Sequence, residues 1–547
     1  MRPRLAWLLL LLPLCVAAAP APVQLAWRTP QGDQLLRLDR QQVLERQPLP
    51  AALRTPLGSL WKLFVFAWLV DSGQREADYS CTGESREEVY CCSAGQSIGR
   101  EQALVKSCGL YYQPARLGLD AATWRRYWSA HQAPEWLLDL DRVQPQTEVP
   151  VAELLDLLAR LPAQAEARRV LLNVALNADD GHAVASLGGR LRVKTWSWLD
   201  ERDAQARRGG FAGWLVDGTP LWMSGPGTSK TLLAQYAEVL GGLLPTPWPA
   251  EPGRCVEVGL FSRYPLRQVL DAQGRPATPG VLNGRYQVTF DNGNQLAIDS
   301  SGELFLQRSD GQPQLVARLD REEYVARVLQ REATAEPAEA AKALAVTIRT
   351  YLLQNAAPRG ECLSIDDSSQ RQRVAPRPAV AEMRAVAAFT DGLVLAGSTV
   401  TYHNDQPGPA RLSWQDAQAQ AASGLRFDAI LARAFPRASL SAWSNPVAAC
   451  QPLPAAEDWL RKQRREWRAR LDDEPGYEEL SSFAVCQLSS GRPYVDRERQ
   501  RIYVRGLYSM QDRLDLTHEY LHLAFQAHPN GQDEGFVESL ARRLLLE

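Results

Sequence analysis

Apolar residues recur at helical spacing in two stretches of the chain, and each stretch ends at a turn signal. Residues 58–70 begin with Gly-Ser-Leu-Trp-Lys and continue as an apolar run until the turn-forming residues 71–73. In residues 512–525 apolar residues again recur at helical spacing, and Pro529 ends the pattern. Both patterns predict helices.

A β-rich unit is predicted for residues 254–320, where apolar and polar residues alternate between repeated turns. The alternation is clearest in residues 255–260 and 286–290, and an Asn-Gly turn follows at residues 292–293. The proline-rich residues 245–252, PTPWPAEP, precede this unit and are typical of a linker.

Further helices are predicted after this unit. Residues 323–353 predict two helices with a break at residues 335–337. Residues 458–472 combine a dense run of charges with interleaved tryptophans. Such a segment can bind polyanions, but we favour an exposed connecting helix that leads into the last domain.

The first residues predict an export signal. Arg2 and Arg4 form its positive end, residues 8–16 its apolar core, and residues 17–19 a cleavage site of small residues. Leu14 stands before Cys15 where a lipoprotein signal prefers a small residue, so cleavage near residue 19 is favoured over lipid attachment. No later apolar run is long enough to span a bilayer.

Composition adds three constraints. The chain has 547 residues, which suggests three or four domains, and its net charge of −2 argues against a nucleic-acid-binding protein. Cleavage of the signal leaves an even number of cysteines, which suggests disulfides in an exported chain. Local bridges are expected among the first four, but the sequence leaves the pairing open. The eight cysteines are Cys81, Cys91, Cys92, Cys108, Cys255, Cys362, Cys450 and Cys486.

His518 and His522 belong to an H-E-x-x-H sequence, the pattern of zinc hydrolases. Because one helical turn separates them, both imidazoles lie on one face and can bind the same Zn²⁺. Glu519 lies beside that face, where its carboxylate can act as general base towards a water molecule. The alternative is an ordinary amphipathic helix that carries two histidines.

A catalytic zinc needs a third protein ligand, and the sequence offers alternatives. His528 has the spacing of the metzincin pattern, but Phe525 stands where that pattern has glycine. Glu534 begins the next helical pattern, an arrangement that resembles gluzincin-like peptidases. We prefer Glu534 as the ligand, with Glu538 as an outer or substitute ligand.

A second set of motifs lies in residues 24–245. Ser59 and Lys62 form S-x-x-K, in which one helical turn brings an amine beside a hydroxyl and can activate it for acyl transfer. This segment resembles the penicillin-binding protein and β-lactamase superfamily. Ser107 matches its S-x-N motif, and Lys194 and Thr195 match K-T-G on an edge strand, so the resemblance implies that these three residues bind substrate.

Two departures weaken that resemblance. Gly109 stands where the family has asparagine, and Trp196 stands where it has the last glycine of K-T-G. The asparagine orients substrate amides, and an indole on the strand is expected to block a peptide that lies along it. We therefore expect weak labelling of the serine by β-lactams.

Residues 323–353 carry a third resemblance. The sequence EYVARVLQRE followed by AKALAVTIRTY is similar to the SpoIID family of peptidoglycan lytic transglycosylases. The match implies that Glu332 is the catalytic acid, and that Lys342, Arg349 and Tyr351 belong to the second helix of the motif. Leu344 departs from the family's glutamine. The alternative is that Glu332 is a surface charge on a helix.

The terminal sequences HEYLHLAF and HPNGQDE, together with the SpoIID-like region, resemble exported bacterial proteins that are often encoded beside a bacterial alpha-2-macroglobulin. That resemblance implies an envelope location and this macroglobulin as a candidate partner. We expect a multidomain α/β and α+β protein. Its expected parts are the signal peptide (1–19), a β-lactamase-like domain (24–245), a β-rich SpoIID-like domain (254–455) and a helical zincin-like domain (456–547).

The leading hypothesis from the sequence is a periplasmic zinc hydrolase that acts on peptidoglycan or envelope proteins. The competing hypothesis is a non-catalytic envelope scaffold with degenerate enzyme domains, which binds peptidoglycan or the macroglobulin. A closed zinc site with four protein ligands, including His528, would favour the scaffold.

Overall fold

The computed structural model describes residues 22–92, 95, 97–176, 182–200, 203–249, 255–309, 311–402, 410–444, 451–480, 483–488, 493–496 and 500–546. The predicted export signal and part of the predicted linker lie outside these ranges. Within them the chain is a mixed α/β, multidomain structure with several clusters of buried apolar residues. None of the described helices is both long enough and apolar enough to cross a membrane.

An antiparallel six-stranded sheet organises the first part of the chain, residues 22–249, in the order β3-β2-β1-β10-β9-β8. Four shorter strands form two small sheets outside it. The strands are β1 (Val23–Thr29), β2 (Gly32–Leu38), β3 (Val43–Pro48), β4 (Arg54–Pro56), β5 (Tyr79–Ser80), β6 (Ser97–Ile98), β7 (Glu148–Pro150), β8 (Leu191–Asp200), β9 (Asp203–Leu215) and β10 (Pro220–Pro226). The prediction that Lys194 and Thr195 lie on an edge strand is confirmed, because β8 is the last strand at one end of the sheet.

Helices pack on both faces of this sheet. They are α1 (Trp61–Asp71), α2 (Arg100–Lys106), α3 (Pro114–Leu117), α4 (Ala121–Ala130), α5 (Glu135–Leu138), α6 (Val151–Ala159), α7 (Gln164–Leu176), α8 (His182–Leu187) and α9 (Ser229–Leu243). Helix α1 is buried from Trp61 to Leu69, as expected for a helix that is apolar on all sides. Trp196, Trp214 and Trp222 pack on the α1 side, and α9 covers the opposite face.

A seven-stranded sheet and five helices form the middle of the chain, with the sheet order β12-β13-β14-β15-β11-β17-β16. The strands of this sheet are β11 (Cys255–Leu260), β12 (Leu266–Asp271), β13 (Gly280–Phe290), β14 (Gln295–Ser309), β15 (Gln312–Asp320), β16 (Ala357–Arg359) and β17 (Cys362–Asp366). Four shorter strands, β18 (Leu393–Ala396), β19 (Thr401–Tyr402), β20 (Arg411–Leu412) and β21 (Ser439–Ala442), pair as β18 with β21 and β19 with β20 outside it. The helices are α10 (Arg321–Glu332), α11 (Ala338–Asn355), α12 (Ala381–Phe389), α13 (Trp414–Ala422) and α14 (Phe427–Ala434). The predicted β-rich unit and the two predicted helices, α10 and α11, are confirmed.

The last part of the chain combines a four-stranded sheet, in the order β22-β23-β25-β24, with three helices. The strands are β22 (Gln451–Pro452), β23 (Ala484–Gln487), β24 (Tyr494–Asp496) and β25 (Arg501–Val504), and the helices are α15 (Pro454–Leu471), α16 (Met510–Ala524) and α17 (Glu534–Leu546). The part predicted as a helical domain therefore contains its helices and, in addition, a sheet that the sequence did not predict. Each strand has at most four residues, which is too short for alternation to be visible in the sequence.

Disulfides cross-link residues within each of the first two parts of the chain. The bridges Cys81–Cys92 and Cys91–Cys108 confirm the predicted local pairing, and Cys255–Cys362 joins the neighbouring strands β11 and β17. Cys486 in β23 is also disulfide-bonded. Each bridge restricts the unfolded chain and so stabilises the native state.

Five buried charged side chains join the first sheet to the central helices. Arg192 on β8 donates to Asp391 Oδ2 at 2.5 Å, and Arg321 lies 3.4 Å from Asp391 Oδ1. Arg321 also pairs with Glu322 at 2.9 Å, and Arg349 on α11 donates to both oxygens of Glu322. All five side chains are at most 7% exposed. Charges at this depth are stable only when they are paired.

Two consecutive glycines allow the first part of the chain to approach the central part closely. The loop between α12 and β18 lies against Gly188 and Gly189, and Gly189 N donates to Phe389 O at 2.8 Å. A Cβ on Gly188 would overlap the carbonyl of Phe389, and one on Gly189 would overlap that of Asp391. The contact is therefore made between backbones.

Replacement of Asp391 by Asn will leave Arg192 and Arg321 buried without their shared counter-charge. We expect the free energy of unfolding to fall by about 3–5 kcal/mol, measured by urea titration with tryptophan fluorescence. Glu45→Gln is the matched control, because the Arg37–Glu45 pair is 44% and 45% exposed and should contribute less than about 1 kcal/mol. Equal, small losses in the two variants would contradict a structural role for the buried charges.

Candidate functional site

Helix α16 presents its two histidines on one face. The Ser509 hydroxyl accepts from Asp512 N at 3.1 Å, and the Asp512 carboxylate accepts from Ser509 N at 2.8 Å. This reciprocal cap fixes the first turn of the helix. His518 and His522 follow on later turns, one turn apart, and their ring centroids lie 4.8 Å from each other.

Glu534, the first residue of α17, completes a cluster with these histidines. His518 Nε2 lies 3.1 Å from His522 Nε2 and 3.2 Å from Glu534 Oε2. His522 Nε2 lies 3.5 Å from Glu534 Oε1. One ligand atom from each residue lies within 4.8 Å of the other two, and within the described ranges no other group of three His, Cys, Asp or Glu residues does so.

The second ring nitrogen of each histidine also has a neighbour. His522 Nδ1 lies 2.8 Å from Gly531 O, so it carries the hydrogen and leaves Nε2 as the ligand atom. His518 Nδ1 lies 3.2 Å from Glu538 Oε2. Glu534 is 76% exposed and borders solvent, while His522 is nearly buried. Two oriented imidazoles and an accessible carboxylate form a donor set that suits zinc.

The other residues of the motif have different surroundings. Glu519 follows His518 on α16 and is buried, with 9% exposure. His528 lies outside the cluster: its Nδ1 accepts from Asn530 N at 3.2 Å, and its ring packs so closely on Gly476 that a Cβ there would overlap it. The geometry thus groups Glu534, and not His528, with the two histidines of the motif.

A second cluster forms at the start of α1. Lys62 Nζ donates to Ser59 Oγ at 3.0 Å and to Ser107 Oγ at 3.3 Å. Lys194 Nζ donates to the same Ser107 Oγ at 2.9 Å and to the carbonyl of Thr195 at 3.0 Å. Two lysines and two serines from three separate segments of the sequence thus form one hydrogen-bonded chain.

Backbone geometry places these side chains. Ser59 lies in a short 3-10 helix that leads into α1, so Lys62 follows it by one turn. Ser107 ends α2 with φ of +65°, a left-handed conformation that is costly for serine, and such strain is common at functional sites. The next residue, Cys108, is fixed by its disulfide to Cys91.

Burial changes the protonation of both lysines. It lowers the pKa of Lys62 to about 8, although the negative charge of Glu87 acts in the opposite direction. Burial also lowers the pKa of Lys194 well below its usual value, and the positive charge of Lys62 adds to this effect. An amine with a lowered pKa that contacts a hydroxyl can act as a base towards it.

The structure corrects the expectation that an indole blocks the strand. Trp196 is 1% exposed and packs between Gly58 and Gly210, in the core beneath the serine. The reason is the two-residue period of a strand, which places Trp196 on the same inward face as Lys194. Gly109 does lie at the cluster, where a Cβ would be 3.6 Å from Lys62 Cε.

The residues that match the lytic transglycosylase motif lie on α10 and α11 and have different surroundings. Glu332 is half-buried at the end of α10 and accepts from Arg373 N at 3.0 Å. Lys342 pairs with a glutamate of its own helix, and Tyr351 packs edge-on against another tyrosine. Arg349 is 0% exposed within the buried charges, so it supports the core and does not reach a surface site.

Sequence reasoning missed two groups that the structure places at these clusters. Gly531 offers a backbone carbonyl to His522, and a carbonyl leaves no signal in the residue type. Glu87 faces Lys62, although 24 residues of chain separate the two in a region without regular periodicity. The cysteines that bracket Glu87 were the only signal that this segment folds back on itself.

Two known protein families match parts of the chain. The family described as "Predicted secreted protein (DUF2300)" matches residues 83–205 and 410–530. The family described as "Stage II sporulation protein" (SpoIID) matches residues 309–396, which include α10 and α11. The first description agrees with export to the periplasm, as the N-terminal sequence predicts.

Solved structures of β-lactamases and penicillin-binding proteins resemble the first part of the chain. An ancestral class A β-lactamase of Gram-negative bacteria (GNCA4) is 14% identical with a TM-score of 0.27, and the match covers 41% of this chain and 94% of that chain. The penicillin-binding protein PonA1 from Mycobacterium tuberculosis is 15% identical with a TM-score of 0.28, over 42% and 80%. With TM-scores below 0.5, neither likeness supports a conclusion about activity.

One relative matches the chain from end to end. "Uncharacterized protein YfaQ" from Escherichia coli (strain K12) is 52% identical over 545 residues. The match covers 100% of this chain and 99% of the relative. Taken with the match to secreted proteins, this identity over the full length shows that the chain belongs to the same family as YfaQ, a family of predicted secreted proteins.

Proposed function

We propose that this protein is an exported zinc-dependent hydrolase of the cell envelope. The observation that carries the proposal is the cluster of His518, His522 and Glu534. The imidazole nitrogens and the carboxylate oxygen are ligand types that zinc prefers, and three protein ligands are the usual number at a catalytic zinc. The accessible Glu534 leaves one side of the cluster open to a substrate.

The residues around the cluster have distinct roles in this proposal. The Gly531 carbonyl holds His522, and Glu538 lies against His518, so both rings keep a fixed orientation. Bound zinc would supply electrophilic activation of a water molecule and of the substrate carbonyl. The Glu519 carboxylate takes the proton of the attacking water and returns it to the leaving group.

Peptidoglycan and envelope proteins are the proposed substrates. Export to the periplasm supports them, because these are polymers with hydrolysable bonds that an exported enzyme meets. The match of residues 309–396 to the SpoIID family also supports a setting at the cell wall. A bacterial alpha-2-macroglobulin is the proposed protein partner, on the resemblance of the terminal sequences.

A second candidate function is acyl transfer at Ser59. It is favoured by the hydrogen-bonded chain of Ser59, Lys62, Ser107 and Lys194. In this reaction neutral Lys62 removes the hydroxyl proton while Ser59 Oγ attacks an acyl carbonyl. The acyl–nitrogen bond breaks, an ester forms on Ser59, and the proton passes to the leaving amine.

The competing proposal is a non-catalytic envelope scaffold in which any zinc is structural. Two observations support it. Arg349 of the transglycosylase motif serves the core, and Gly109 lacks the amide of the family's S-x-N motif. Binding of peptidoglycan or of a partner protein would then be the function of the chain.

Zinc content tests the first proposal. Mature protein should bind about one zinc per chain, and His522→Ala should lose most of it, since each ligand contributes several kcal/mol to binding. Elemental analysis after dialysis measures the content. His528→Ala is the matched control and should retain zinc, whereas Glu534→Ala should not. Full zinc content in a variant that lacks both His518 and His522 would refute the site.

Glu519→Gln separates an enzyme from a scaffold. The amide keeps the size of the side chain but cannot take a proton, so hydrolysis of peptidoglycan peptides or unfolded envelope proteins should fall by about 10²-fold or more. Zinc content and thermal stability should change little. Equal cleavage by wild type and variant would exclude the mechanism. If neither cleaves and partner binding is intact, the scaffold is supported.

Labelling by a fluorescent penicillin tests the second candidate. Ser59 should be acylated slowly, because Gly109 lacks the amide that orients the substrate, and Ser59→Ala should abolish the label. The lowered pKa of Lys62, about 8, gives the pH dependence. The neutral fraction of Lys62 rises as the pH passes through that value, so the labelling rate should rise across it and level off at higher pH. A label that persists in Ser59→Ala would rule out this serine.

A further inference from the structure

The space beside Lys62 is shared by a carboxylate. Gly109 stands at the third position of the S-x-N motif, and a Cβ built on it would lie 3.6 Å from Lys62 Cε and 3.9 Å from Lys62 Nζ. The same Cβ would lie 3.7 Å from Glu87 Oε2. The volume that an asparagine side chain would need is therefore bordered by the amine of Lys62 and the carboxylate of Glu87.

Glu87 lies beside Lys62 because its loop is held by two disulfides. Residues 86–90 form a 3-10 helix that begins after Ser85, whose hydroxyl accepts from Glu87 N at 3.3 Å. Disulfides then fix the loop at both cysteines that follow this helix. One of them, Cys91–Cys108, connects the loop to the residue between Ser107 and Gly109. Glu87 is thus tied covalently to the serine–lysine cluster.

The next glutamate does not share this role. Glu88 is buried and turned away, because its carboxylate accepts from Tyr79 Oη at 2.9 Å and from the backbone nitrogens of Thr82 and Gly83. Glu84, earlier in the same loop, is exposed to solvent. Of the three glutamates in this loop, Glu87 alone acts on the charge of Lys62.

Among the side chains that the structure describes, the other elements around α1 bring one further charge to Lys62. β8 contributes Lys194, which is buried and shares Ser107 with it. Helix α7 directs its arginines elsewhere, with Arg168 on a backbone carbonyl and Arg169 in an ion pair with Glu101.

The tyrosines that follow Gly109 also point away from Lys62. Tyr111 Oη donates to Glu76 and Tyr112 Oη donates to the carbonyl of Arg100. Glu87 is therefore the group whose negative charge opposes the effect of burial on Lys62.

We propose that Glu87 is a positioning residue that holds Lys62 in its protonated form and so sets the pH at which Lys62 can serve as a base for Ser59. Where the resembled family has a neutral amide, this chain has a carboxylate brought in from another loop. At neutral pH the carboxylate restrains the serine, since an ammonium group cannot remove its proton. This inference rests on the second candidate function, acyl transfer at Ser59.

The test compares Glu87→Gln with Glu84→Gln in the mature full-length chain. Both variants remove one negative charge from the same exposed loop, but only Glu87 faces Lys62. The first readout is the rate at which acetic anhydride modifies Lys62, followed by mass spectrometry as a function of pH, because only the neutral amine reacts. The second readout is the pH profile of Ser59 labelling by a fluorescent penicillin.

We expect the midpoint of Lys62 modification to move to lower pH in Glu87→Gln, and Ser59 labelling at pH 7 to become about threefold faster, the size expected for a solvent-screened charge. Glu84→Gln should match wild type, and Glu87→Asp, which keeps the charge, should return the midpoint towards wild type. A purely structural role would change stability and leave the midpoint where it is.

Two outcomes separate this inference from the function on which it rests. If Glu87→Gln and Glu84→Gln give the wild-type midpoint for Lys62, the role of Glu87 is overturned whether or not Ser59 reacts. If the midpoint moves but Ser59 is not labelled in any variant, Glu87 does control Lys62, and acyl transfer from penicillins is what fails.

Discussion

Five buried charges hold the first two parts of this protein together. Arg192, Asp391, Arg321, Glu322 and Arg349 come from a strand, a loop and two helices, and each carries a charge that water does not stabilise. Buried ions of this kind are costly unless every member is present. A different relative position of the first sheet and the central helices would leave buried charges without partners and is therefore disfavoured. The backbone contacts at Gly188 and Gly189 add a second constraint on the same packing.

The strand β8 connects these buried charges to the serine–lysine cluster. Arg192 and Lys194 lie two residues apart on β8 and share its inward face, so the strand that anchors the buried charges also presents the second lysine to Ser107. The histidine cluster depends on different forces. It is formed by two consecutive helices, a reciprocal cap at Ser509 and a backbone carbonyl behind His522. The two candidate sites are thus supported independently.

Local patterns predicted the parts of the structure that depend on nearby residues. The buried helix α1, the pair α10 and α11, and the β-rich unit all have a periodicity that their sequence displays. The C-terminal sheet was missed, because strands of two to four residues are too short to show alternation. The orientation of Trp196 was also misjudged, although the two-residue period from Lys194 would have given it. The burial of Arg349 depends on Glu322, 27 residues away, and no local pattern contains it.

The sequence by itself determined which groups lie one helical turn apart: Ser59 with Lys62, and His518 with His522. Helix geometry fixes such pairs without any help from the rest of the chain. Only the tertiary structure decided which groups meet them across space. It placed Glu534 and not His528 beside the histidines, brought Ser107 and Lys194 to Lys62, and set Glu87 in the space left by Gly109. The physical reason is that these meetings depend on chain reversals, disulfide pairing and sheet packing, which are properties of the whole fold.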